Sequence, residues 1–120
     1  MAKSIRDLTS MKCVPCRGGI PPLQSDKIEK MMNIVEGWKL ESGPDKITKK
    51  YKFKNFKEAM HFVNKVADIA ETEGHHPDIS ISWNKVTLTL WTHAINGLHE
   101  NDFIMAAKID EMLEKSKSEK

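Results

Sequence analysis

Two histidines stand side by side at His75 and His76, and a third, His93, follows after two segments of alternating polarity. Imidazole is the side chain whose ordinary pKa, about 6.5, brings both protonation states within reach near neutrality. A group of such rings can hold one as base and another as acid, because repulsion between like charges opposes protonating neighbours together. Pro77 biases His76 toward extended backbone. Three imidazoles at a helix end and a hairpin form a proton-transfer site, a metal site, or no site at all. An adjacent pair in a polar turn is often solvent-exposed and idle.

The metal reading has a precedent in three histidines plus water on zinc. Adjacent histidines seldom chelate one ion, however, and the helical i, i+4 spacing is absent. Cys13-x-x-Cys16 is half of a zinc site without a second half, and it lacks the context of a thioredoxin-like redox pair. Two structural or incidental thiols in a loop is the plainer account. His61 and His99 read as surface or cap residues. The nearby carboxylates are Glu71, Glu73, Asp78, Glu100 and Asp102. Glu71 lies one helical turn before His75, where the two can approach. Asp102 falls in the first turn of the last helix, where it either complements the dipole and caps the helix or serves the site. Trp83 and Trp91 either wall a planar ligand or belong to the core.

The elements that must position these residues follow from pattern. Residues 1–24 read as a loop-like arm, with Gly18-Gly19 and Pro21-Pro22. Ser25 suits an N-cap, and Ile28, Met31, Met32 and Val35 give one helical face before Gly37. Trp38–Glu41 and Ile47–Lys54 make a first hairpin about the Ser42–Asp45 turn. Asn55 with Glu58 forms a capping box. Ala59, Phe62, Val63, Val66, Ile69 and Ala70 then keep the 3.6-residue period up to Gly74. Ile79, Ile81 and Trp83 alternate, Asn84-Lys85 turns, and Val86, Leu88 and Leu90 alternate again. Thr87, Thr89, Trp91 and His93 share the opposite face of that return strand. A last helix spans 100–115 and carries apolar residues on more than one side, for either a subunit contact or its own core. Residues 116–120 read as a frayed tail. The order α-β-β-α-β-β-α predicts an α+β fold, one antiparallel sheet with helices on one face.

Composition narrows the function class. The 120 residues suffice for one domain, with 39% hydrophobic and 30% charged residues. A net charge of +2 gives no argument for nucleic acid or an anionic membrane. No apolar run approaches the roughly 20 residues of a membrane span, the N-terminus lacks a signal-peptide h-region, and two cysteines make no disulfide framework. The expectation is a cytoplasmic protein.

Glu71, three residues, His75-His76-Pro77, five residues, Trp83, nine residues, His93, eight residues, Asp102 resembles the signature of the pterin-4a-carbinolamine dehydratases. The likeness extends through Asn84-Lys85-Val86, Thr92-His93, Gly97-Leu98 and Ala106-Ala107, and covers residues 25–115 as one domain. The Cys13-Val-Pro-Cys16 arm with Pro21-Pro22-Leu23 is similar to an extension in microbial and plant members. The resemblance implies a four-stranded antiparallel sheet with three helices, assembled as a homodimer or homotetramer. It implies a lyase that expels water from 4a-hydroxytetrahydropterin to give quinonoid dihydropterin, in the recycling of tetrahydropterin, with no metal or organic cofactor. It implies His75, His76 and His93 as catalytic residues, with Glu71 and Asp102 orienting imidazoles or binding the pterin. His76 is then the expected general acid, and His75 or His93 handles the opposite proton. Two features depart from the family. Gly74 stands where the animal form has an acidic residue, and His99 occupies a position commonly Ser or Thr, which weakens that N-cap. The animal member also partners a homeodomain transcription factor, so a non-catalytic dimerisation role is the alternative, and a metal-dependent hydrolase is a third.

Overall fold

The computed structural model describes residues 4–14 and 18–118, the side chains of 116–118 excepted. Cys16 therefore lies outside the described residues. Four strands form one antiparallel sheet in the order β1-β2-β4-β3. β1 (Lys39–Glu41) and β2 (Lys46–Lys52) make the first hairpin, and β3 (Asp78–Ser82) and β4 (Lys85–Leu90) the second. The hairpins join through β2 and β4, with Ile47 opposite Leu90 and Tyr51 opposite Val86. Side chains alternate across a strand, so Ile47, Tyr51, Val86, Leu88 and Leu90 share the buried face. Helices α2 (Ser25–Met32), α3 (Phe56–Glu73) and α4 (Glu100–Ser118) supply the other half of that core. This is the expected α+β arrangement.

α3 follows its pattern closely. The Asn55 side chain accepts from the Glu58 N–H, and the Glu58 carboxylate in turn accepts from the Lys54 N–H. Gly74 ends the helix at φ 68°, a left-handed conformation that glycine adopts without a Cβ penalty. Elsewhere the boundaries move. The N-cap of α2 is Gln24 without a side-chain bond, so Ser25 is the first helical residue rather than the cap. Trp38 is buried in the core ahead of β1. The tight turn of the second hairpin is Trp83-Asn84, since Ser82 pairs with Lys85. Trp83 takes a positive φ of 51° there. α4 runs three residues past the expected end, and residues 119–120 lie outside the described ones.

The arm holds a correction of more consequence. Ile5–Thr9 forms a short helix, α1, capped by the Ser4 hydroxyl and burying Leu8 completely. One and a half turns are too few for periodicity to register in sequence. α1 packs on α4, and this settles the two-sided apolarity of the last helix. Phe103, Ile104, Met105, Ala106, Ala107 and Ile109 are all buried within one chain. The sheet and α3 cover one side of α4, and α1 with the arm covers another.

Candidate active site

The site is built at the end of the sheet where β3 begins and β4 finishes, with Asp78 opposite Thr89. Three short connections meet there. After Gly74 the chain bends into His75-His76-Pro77, and the His75 N–H is still tied to the Ala70 carbonyl at 3.2 Å. β4 stops at Leu90, and His93 opens a 3-10 turn, His93–Ile95, rather than continuing the strand. The cause is a loop closed on itself. The Thr92 N–H donates to the Gly97 carbonyl at 2.8 Å, and Asn96 takes φ 52° to make the reversal. The third connection is the start of α4, which carries Asp102.

Asp102 is the hub. Its side chain is fully buried and makes a 2.6 Å contact from Oδ1 to His75 Nε2. Its Oδ2 accepts from the Thr92 hydroxyl and the His99 backbone N–H, both at 2.9 Å. A buried carboxylate is tolerable only when its lone pairs are filled in this way. With Nε2–H donating to the carboxylate, the Nδ1 lone pair is the basic position of the His75 ring. The helix start is also capped more fully than expected. His99 Nδ1 accepts from the Asn101 N–H at 3.0 Å while Asp102 reaches back to the His99 N–H. Histidine thus does the work of Ser or Thr in a reciprocal capping box.

Glu71 does not approach His75. It makes a 2.5 Å contact from Oε2 to His76 Nε2, and both side chains are largely exposed. Each adjacent imidazole is therefore engaged by its own carboxylate, His75 by Asp102 and His76 by Glu71. His93 is exposed and its ring lies 3.9 Å from that of Trp91, tilted by 45°. Trp91 is held in turn by Asp78 at 3.4 Å and by the Lys46 ammonium 4.5 Å from its ring. Thr92, between Trp91 and His93, links this aromatic shelf to Asp102. Trp83 is not part of the group. It sits 66% exposed at the opposite end of the hairpin, roughly 17 Å away along a five-residue strand. His61 lies exposed on α3.

Thr92 and Asn101 join the site although no sequence pattern placed them there. Thr92 had a signal, a hydroxyl next to a candidate histidine, whereas Asn101 had none. Cys13 is half-buried, and its thiol donates to the Asn101 carbonyl at 3.6 Å. Burial, with the Glu73 carboxylate adding to it, pushes this thiol up to about 12. Held protonated, Cys13 is a poor nucleophile or metal ligand and a sound structural residue. Two sizeable clefts, of about 440 and 610 Å³, are lined by α3 and α4 and by the Lys49–Phe53 segment with Asp110. The histidines line neither, and their group forms an open shelf at the sheet end.

This arrangement, two carboxylate-held imidazoles and a third tilted against an indole, suits proton transfer on a flat heterocycle. Comparison with known proteins identifies the family. Residues 21–112 match the family model for pterin 4 alpha carbinolamine dehydratase. The chain belongs to the pterin 4 alpha carbinolamine dehydratase family. It is an enzyme of that dehydratase class. Two relatives provisionally named as pterin-4-alpha-carbinolamine dehydratases are each 50% identical over 105 residues. The one from Methylococcus capsulatus aligns over 88% of this chain and 92% of its own length. That from Rickettsia canadensis aligns over 86% and 94%. Among solved structures, a transcriptional coactivator/pterin dehydratase from Brucella melitensis superposes with a TM-score of 0.72 at 34% identity, covering 76% of this chain and 97% of that one. A pterin dehydratase-like RuBisCO assembly factor of the alpha-carboxysome shares the fold, with a TM-score of 0.56 at 23% identity over 64% of this chain and 89% of its own.

Proposed function

We propose that this dehydratase removes water from 4a-hydroxytetrahydropterin to give quinonoid dihydropterin, by histidine acid and base catalysis and without a metal or organic cofactor. The reaction needs a proton delivered to the leaving 4a-hydroxyl and one withdrawn from the adjacent ring nitrogen. His76 acts as the acid, its ring held in place by the Glu71 carboxylate at 2.5 Å. His75 acts as the base through Nδ1, and His93 on its Trp91 shelf faces the same substrate and exchanges roles when the hydroxyl lies on the other ring face. The observation that carries this reading is the Asp102–His75 contact at 2.6 Å, which holds one tautomer of one ring. Its setting is recycling of a tetrahydropterin in the cytoplasm, after a hydroxylase has used it.

A stopped assay of carbinolamine loss tests it. His75→Ala and His76→Ala should each fall by roughly 10²–10⁴-fold, the range of a lost acid or base. His93→Ala should also lose activity, and the wild-type rate should survive exhaustive chelation. A His76→Ala variant at full rate removes the acid assignment. The rival, a protein-binding role without catalysis, would show instead as pure protein that binds another protein tightly and leaves the carbinolamine untouched.

We also propose that the chain is a homo-oligomer seamed at β3. Ile79 and Ile81 pair with Leu88 and Val86 and so point to the helix-covered face, yet each is 38% exposed. β3 is an edge with unpaired backbone groups, which natural sheets cover or protect. Ile81→Lys should shift the protein to monomer in sedimentation velocity. An unchanged sedimentation coefficient would place the seam elsewhere.

A further inference from the structure

His75 and Asp102 belong to different elements, one following α3 and the other opening α4. Their contact is only as fixed as the relative placement of those two ends. Two consecutive residues of the arm bridge them. The Cys13 N–H donates to Glu73 Oε1 at 2.8 Å, two residues before His75. The Val14 N–H donates to Asn101 Oδ1 at 3.0 Å, and Asn101 Nδ2 donates back to the Val14 carbonyl at 2.7 Å, one residue before Asp102. The Asn101 amide therefore pairs with Val14 as a neighbouring strand would, and Asn101 is only 2% exposed. Glu73 also binds Lys108 of α4 at 3.2 Å, which closes the bracket.

The arm then continues along the loop that carries His93. The Leu23 N–H donates to the Leu98 carbonyl at 2.9 Å. Pro22 packs so closely that a Cβ on Gly97 would stand 2.7 Å from its own Cβ. Gly18, at φ 82°, lies against the Ala94 carbonyl, 3.1 Å from where a Cβ would stand. Every connection that presents a site histidine or its carboxylate, apart from His76, thus has an arm residue bonded or packed within two positions of it.

We infer that the N-terminal arm is a positioning strap for the active site, with Asn101 and Glu73 as its anchors and the Asp102–His75 pair as what it aligns. This rests on the proposed role of that pair. Asn101 acts through the adjacent Asp102 and Glu73 through His75 two residues on, and misplacement on the scale of 1 Å is enough to cost about 10²-fold in rate.

The test is a double-mutant cycle in the full-length enzyme. Val14→Pro deletes the N–H that Asn101 accepts, while Val14→Ala keeps it, and the Val14 side chain is 56% exposed so little packing is lost. Val14→Pro should lower kcat roughly tenfold, about half of the misplacement cost above on a free-energy scale, with KM within about twofold. Val14→Ala should match wild type. Asn101→Ala should show the same kcat-selective loss, and the double variant should be no slower than Asn101→Ala alone. The downfield proton resonance of the His75–Asp102 bond should broaden in both. Wild-type kcat in folded Val14→Pro or Asn101→Ala, a loss confined to KM, or losses that multiply would each overturn the strap. Asp102→Asn separates the two claims. If it is crippled while Val14→Pro is not, the strap alone fails; if it is fully active, the dyad reading fails first.

Discussion

Asp102→Asn should lower the dehydration kcat by roughly 10²–10⁴-fold, the contribution of a positioned acid or base, while leaving the protein folded. The amide is isosteric, so one oxygen can still accept from the Thr92 hydroxyl and the His99 N–H that fill Oδ2 in the wild type. What changes is the atom facing His75 Nε2, 2.6 Å away. An amide NH₂ there is a donor, which calls for a lone pair on Nε2 and drives the proton to Nδ1. The ring is then in the wrong tautomer, with a donor where the mechanism needs a base. KM should change little, since the lost interaction acts on the proton in flight rather than on binding. Stopped-assay kinetics beside a thermal melt check both halves. A variant within threefold of wild type would mean that His75 does not need its carboxylate and that Asp102 is a helix cap alone.

The largest effect on stability should come from Asp110→Ala, on the far side of the core. Asp110 accepts from Trp38 Nε1 at 2.8 Å, Tyr51 Oη at 2.7 Å and Lys49 Nζ at 3.1 Å. Tyr51 and Trp38 are about 6% and 5% exposed, so truncation strands two buried donors. At about 1–3 kcal/mol for each unsatisfied group the cost is about 2–6 kcal/mol. That is a large share of the about 5–15 kcal/mol that holds a domain folded. Urea unfolding should show it as a lower midpoint with an unchanged slope, and a loss under 1 kcal/mol would show that water replaces the carboxylate. The same cluster sets the alkaline limit. Burial, then the charge of Asp110 and its hydrogen bond, hold the Tyr51 phenol well above its ordinary value. The folded state keeps a proton that the unfolded chain gives up near pH 10. Stability from this source is therefore complete below about pH 10 and falls as pH rises beyond it. The fall should end at lower pH and total less in Asp110→Ala, where two of the three causes are gone.

The sequence by itself determined the family, the four strands and the three longer helices. α3 was legible because six apolar residues keep one period between an Asn cap and a glycine stop, and both hairpins because alternation with a turn between is a local code. The spacing of Glu71, His75, His76, His93 and Asp102 identified the family for the same reason, being a property of the chain in order. Tertiary structure alone decided who touches whom. Glu71 was placed near His75 by helical spacing and binds His76 instead, because the left-handed Gly74 swings the backbone out of the helix before either ring is set. His93 left its strand because a bridge between Thr92 and Gly97 closes a turn that no alternation pattern announces. The arm, read as loop, became a helix and a strap through Leu8, Cys13 and Val14. Each meets α3 or α4 far along the chain, and such contacts depend on how helices dock on the sheet rather than on any periodicity. Local pattern encodes which residues share a face, and only packing chooses the face they meet.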